Sequence, residues 1–126
     1  MNTSLGKFKI MVVDDSKTVR KSAEDLLTSM GHKVMVSENG YEALSKIVDL
    51  KPDLIFLDIM MPKLDGYQTC ALVKNNHDYR DIPIVMLSSK DGVYDKAKAR
   101  VVGANDYVTK PFSAEDLVNA INKFLN

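Results

Sequence analysis

Apolar positions along the chain follow two alternating patterns. Short, mostly apolar runs occur at Phe8 to Val13, Val34 to Val36, Leu54 to Leu57 and Ile82 to Leu87, with a weaker one at Tyr107 to Val108. Each is predicted to be a strand. Between the first two, Val19, Ala23, Leu26, Leu27 and Met30 recur at helical spacing, behind Ser16 as a cap and ahead of Gly31 as a stop. The second helix starts at Asn39-Gly40-Tyr41-Glu42, pairs Ala43 and Leu44 with Ile47 and Val48, and is barred from continuing by Pro52. Asp65-Gly66 opens a third helix through Asn76; Asp91 opens a fourth, whose apolar face is Val93, Ala97 and Val101, and Gly103 closes it. Ser113-Ala114-Glu115-Asp116 resembles a capping box, and Ala114, Leu117, Val118, Ile121 and Phe124 form the last apolar face. Strands that lack polar alternation are covered on both faces, and strict alternation with helices implies a parallel sheet with right-handed crossovers. The expected class is therefore α/β, a single doubly wound (βα)5 domain.

Length and composition narrow this further. With 126 residues the chain fits one domain, expected over residues 7–126 behind a loose N-terminus at residues 1–6, with no linker to an output domain. Seventeen Lys and Arg balance seventeen Asp and Glu, so the basic excess that nucleic acid attracts is missing. No uninterrupted apolar run exceeds four residues, which argues against membrane insertion and a signal peptide. Cys70 is the lone cysteine and offers neither a disulfide nor thiol metal-site spacing. A cytoplasmic location is the expectation.

In an open parallel sheet, ligands gather outside the carboxyl ends of the strands, where strand order reverses. The first strand ends in Asp14-Asp15, the third in Asp58 and the fourth in Ser88-Ser89, while the fifth is followed by Lys110-Pro111. With the order 2-1-3-4-5, strands 1, 3, 4 and 5 lie side by side, and these residues converge. Clustered carboxylates repel one another, and a divalent cation relieves that repulsion. Oxygen donors without His or Cys suit Mg²⁺, and Lys110 adds a further positive charge. A carboxylate nucleophile beside Mg²⁺, an ammonium and a hydroxyl meets the needs of phosphoryl transfer onto an aspartate. Taken singly, Asp14 and Asp15 could be helix caps, Asp58 a turn residue and Lys110 a solvated charge. Their joint placement at the ends of four strands favours a shared site.

The stretches Val12-Val13-Asp14-Asp15-Ser16, Asp58-Ile59-Met60-Met61-Pro62, Asp65-Gly66, Leu87-Ser88-Ser89 and Lys110-Pro111-Phe112 resemble those of response-regulator receiver domains, of the flavodoxin-like fold with strand order 2-1-3-4-5. The similarity runs over essentially the whole chain and is strongest to stand-alone chemotaxis-type and pilus-motility members. It implies that Asp58 accepts a phosphoryl group from a phosphohistidine on a histidine kinase or phosphotransfer domain. Asp15 and Asp58 would ligate Mg²⁺ with the Met60 carbonyl, Asp14 acting nearby, and Ser88 and Lys110 would hold the phosphoryl oxygens. The Lys110-Pro111 bond would be cis, and Ser88 with Tyr107 would form the switch. Met60 and Lys90 depart from the chemotaxis pattern, which has an amide and an acid there, so slower self-dephosphorylation is expected.

Partner surfaces are expected in two places. Lys17, Arg20 and Lys21 open the first helix beside the pocket and could meet an acidic phosphotransfer helix; a solvated polar face is the plainer reading. The face of the fourth helix, fifth strand and fifth helix, with Tyr94, Asp95, Lys98 and Tyr107, would carry the signal to a pilus or motility effector. The protein is expected to be a monomer, with a transient dimer on phosphorylation. His32, His77 and Cys70 suggest no catalytic role. A haloacid-dehalogenase-type phosphatase is the enzymatic rival, but it uses an acid two residues beyond its nucleophile, where Met60 stands. A flavodoxin-like FMN module is disfavoured because Asp14-Asp15-Ser16 would repel the cofactor phosphate.

Overall fold

In a computed structural model, the chain is described over residues 8–89 and 93–126; the segment 1–6, Lys90 and the Asp91 helix start lie outside the described residues. The elements are β1 (Lys9–Val13), α1 (Lys17–Ser29), β2 (Lys33–Ser37), α2 (Gly40–Leu50), β3 (Leu54–Asp58), α3 (Gly66–Lys74), β4 (Ile84–Ser88), α4 (Val93–Val101), β5 (Asp106–Thr109) and α5 (Ala114–Leu125). Local chemistry sets most of their ends. The Ser16 hydroxyl accepts the Val19 N–H at 3.3 Å and the Asn39 side chain accepts the Glu42 N–H at 2.9 Å, satisfying first-turn donors that α1 and α2 leave unpaired. Asp65 with Gln68, and Ser113 with Asp116, form reciprocal capping boxes. The fourth strand begins two residues later than Ile82, because the Ile82 N–H is spent on the Tyr79 carbonyl and Pro83 has no N–H to offer a ladder.

The strands form one parallel sheet in the order β2-β1-β3-β4-β5. Consecutive residues of each central strand point to opposite covered faces, which is why their sequences are apolar except at the ends, where Lys9, Asp58 and Ser88 stand. Met11, Val13, Ile55, Leu57, Ile84 and Met86 meet Ala43 and Ile47 of α2, Cys70 and Val73 of α3, and Ala99 of α4. Ile10, Val12, Leu54, Phe56, Val85 and Leu87 meet Ala23 and Leu27 of α1 and Leu117, Ala120 and Ile121 of α5. Right-handed crossovers require this division: β1 to β2 runs one way along the sheet, whereas β2 to β3, β3 to β4 and β4 to β5 run the other. At about 1.5–3 kcal/mol for each large side chain fully buried, these two layers dominate the stability of the fold.

Helix α4 differs from the sequence expectation. Val93 and Val101 are 87% and 85% exposed and Ala97 is also exposed, while Ala99 on the opposite side of the helix is buried against the core. A small residue there lets the helix approach the sheet edge closely. No helix among the described residues is long and apolar enough to cross a membrane.

Candidate functional site

Strand order reverses between β1 and β3, and the polar residues gather at the carboxyl ends on that side. Asp14 follows β1, Asp58 is the last residue of β3, Ser88 the last of β4, and Lys110 follows β5. The Lys110 N–H donates to the Ser88 carbonyl at 2.6 Å, and the Lys110–Pro111 peptide is cis. From there the Lys110 ammonium lies 2.8 Å from Asp14 Oδ2 and 3.0 Å from Asp58 Oδ1. Asp14, Asp58 and Ser88 are buried, whereas Asp15 is exposed. The Asp14 carboxylate is engaged on both oxygens, since Oδ1 accepts the Ser16 N–H at 2.9 Å.

Burial, and then the charge of Asp14, push the Asp58 carboxyl up to about 6; the Lys110 hydrogen bond and charge pull against this, and Asp15 adds a smaller push. For Lys110, burial works against the charge, but hydrogen bonds to Asp14 and Asp58 outweigh it and its pKa is raised. One ammonium thus offsets a pocket of three acids only in part. Carboxylate oxygens of Asp14, Asp15 and Asp58 lie within 4.8 Å of one another, close enough to hold a single cation. An all-oxygen set carrying residual negative charge fits a hard divalent ion.

Gly66 is part of this geometry for a reason that Asp65-Gly66 as a helix start does not reveal. A Cβ at Gly66 would stand 2.3 Å from the Asp58 carbonyl oxygen, and the Gly66 N–H donates to the Ile59 carbonyl at 2.8 Å. The start of α3 therefore rests on the backbone that carries Asp58. Met60, two residues on from Asp58, is exposed.

The residues expected at partner surfaces divide. Lys17 and Lys21 are exposed, but Arg20 turns inward, its guanidinium donating to the Asp14 carbonyl at 2.7 Å. Beside them, Val19, Pro111 and Phe112 line an apolar cavity of about 420 Å³ that also borders Lys110. On the far side, Tyr94 and Lys98 are exposed, with the Lys98 ammonium 4.6 Å from the Tyr67 ring centroid. Tyr107 is half-buried in β5 with the Lys96 ammonium 6.0 Å from its ring. Cys70 is buried and desolvation raises its thiol to about 11, so it is inert at neutral pH. His32 is buried and stacked on Phe8, and burial lowers its pKa; His77 is exposed.

Comparison with known proteins agrees with this geometry. The response regulator receiver domain family matches residues 10–122. Protein PilG of Pseudomonas aeruginosa is 58% identical over 90% of this chain and 84% of its own length. A probable transcriptional regulator of Pyropia yezoensis, ycf27, is 42% identical over 94% of this chain, which spans only 48% of that protein. Among solved structures, the chemotaxis protein CheY4 of Vibrio cholerae superposes with a TM-score of 0.90 at 30% identity, covering 95% of this chain and all of that one. Receiver domains are signalling switches that engage histidine kinases and effectors and bind Mg²⁺ at an acidic pocket. With that match over most of its length, and an acidic pocket bridged by a lysine at the switch point of a 2-1-3-4-5 sheet, the chain belongs to the response regulator receiver domain family.

Proposed function

We propose that this protein accepts a phosphoryl group on Asp58 from a phosphohistidine and thereby switches its contacts with an effector of pilus-driven twitching motility. The observation that carries the reading is the Lys110 ammonium seated between Asp14 and Asp58. An Asp58 carboxylate oxygen forms the new bond to phosphorus, the P–N bond to the donor breaks, and its electron pair returns to the imidazole nitrogen. Lys110 favours the ionised form of Asp58 against burial and the charge of Asp14 and is also placed to follow the transferred oxygens, and Ser88 would donate to them. Asp15, Asp58 and the Met60 carbonyl would hold Mg²⁺, with Asp14 beside it. When bound, the cation neutralises charge on the phosphoryl oxygens and on the acidic pocket.

Exposed Lys17 and Lys21 beside the apolar cavity at Pro111 and Phe112 suit an acidic, partly apolar donor helix. The α4, β5 and α5 face would carry the output, with Tyr94 and Lys98 at its surface and Tyr107 and Ser88 as the switch. Likeness to PilG supports the pilus assignment; a cytoplasmic location and action by protein contact rather than turnover of free phosphoesters complete the reading. Intact-mass measurement with Mg²⁺ and acetyl phosphate tests the core of the reading. One added phosphoryl group is expected in wild type and none in Asp58→Asn; an equal gain in both, or continuous phosphate release from model esters, contradicts it.

A further inference from the structure

We infer that Arg20 is a positioning residue for the acidic pocket, bracing the peptide that joins Asp14 to Asp15; the inference rests on the reading of that pocket as a cation site. Three of the polar groups of Asp14 already have partners. Its N–H donates to the Ser37 carbonyl at 3.1 Å, Oδ1 accepts the Ser16 N–H at 2.9 Å, and Oδ2 accepts Lys110 at 2.8 Å. Its carbonyl oxygen is where the turn leaves the sheet, and there Arg20 Nη1 donates at 2.7 Å. The other arm of the guanidinium lies 3.9 Å from Glu38 Oε2, in the loop between β2 and α2, and the Arg20 side chain is only 17% exposed. The Glu38 backbone is anchored, its N–H donating to Glu42 Oε1 at 3.0 Å, while its carboxylate is 61% exposed.

The strap runs from the first turn of α1, across the Asp14 carbonyl, to the neighbouring loop. Asp15 comes next in the chain and is exposed, so the backbone of this turn sets where its carboxylate stands. Releasing the Asp14 carbonyl lets the peptide plane rotate and spreads Asp15 over positions in which it no longer shares a cation with Asp58. The planar fork of arginine can serve the carbonyl and Glu38 together, whereas lysine offers a point charge that reaches one of them.

Titration of the full chain with Mg²⁺, followed by calorimetry and by the Mg²⁺-dependent rise of the thermal midpoint, tests this. Arg20→Ala is expected to weaken Mg²⁺ binding about tenfold, Arg20→Lys to restore part of the loss, and Glu38→Gln to change it less than Arg20→Ala does. Should Arg20→Ala fail to fold, Arg20→Gln, which keeps a neutral donor but no charge, takes its place with a loss larger than that of Arg20→Lys. Wild-type Mg²⁺ affinity in the alanine or glutamine variant, with only a uniform drop in midpoint at every Mg²⁺ concentration, overturns the positioning role and leaves the pocket reading intact. No Mg²⁺ binding by wild type overturns both.

Discussion

Asp58 is a carboxylate whose burial and acidic neighbours oppose its charge more than the Lys110 ammonium beside it supports that charge. In the unfolded chain its pKa is near 3.8, and in the metal-free fold it is raised to about 6, burial being the main cause. Below about pH 4 both states hold the proton and no difference exists; between there and pH 6 the folded state keeps a proton the unfolded state has lost. Stability contributed by that proton is lost as pH rises through 6, up to about 3 kcal/mol. Urea denaturation in EDTA at pH 4 and pH 7.5 should show this fall in wild type and a smaller one in Asp58→Asn. Met60 makes a second prediction at this scale. Its thioether offers no hydrogen bond to an attacking water, so Met60→Asn should shorten the lifetime of the phosphorylated protein several-fold, measured as loss of added mass after the phosphodonor is removed. An unchanged lifetime counts against that reading. The acids, the lysine and Ser88 were all legible from strand ends, but the inward turn of Arg20 was not: its neighbours Lys17 and Lys21 have the same charge and spacing class, and only the location of the Asp14 carbonyl separates them.

At the scale of elements, short-range chemistry was the most readable part. Ser16, Asn39, Asp65 and Ser113 each cap the helix that the sequence assigns to them, because a cap is a contact between residues two or three apart. Ser113→Ala should lower stability by about 1 kcal/mol in chemical denaturation. Gly66 is different in kind, since its missing side chain admits a backbone from another element. Gly66→Ala should destabilise by about 1–3 kcal/mol and slow phosphorylation of Asp58, because relieving the overlap moves either α3 or the Asp58 backbone. Normal stability with normal phosphorylation would show that the contact relaxes harmlessly. In α4 periodicity pointed to the wrong face. Val93, Ala97 and Val101 satisfy a helical stripe as well as any buried set does, but periodicity cannot tell a face that packs inside the domain from one turned to solvent.

For the whole molecule, the division between a central sheet and its flanking helices decides where substitutions are felt. Leu117→Ala, in the layer between α5 and the sheet, should reduce stability by about 2–5 kcal/mol. Val101→Ser, on the outer side of α4, should leave it within about 0.5 kcal/mol, measured in the same denaturation series. A large loss at Val101 would mean that this face is covered in solution. The chain by itself determined the number and alternation of elements, because apolar periodicity and caps are local properties. It also determined which residue types stand at the strand ends, and hence the chemistry they could share. Only the tertiary structure decided that Lys110 spans Asp14 and Asp58, that Gly66 rests on the Asp58 backbone, that Arg20 faces inward and that α4 shows its valines to solvent. Each of those joins parts of the chain through distances and directions in space, which helical and strand periods do not encode.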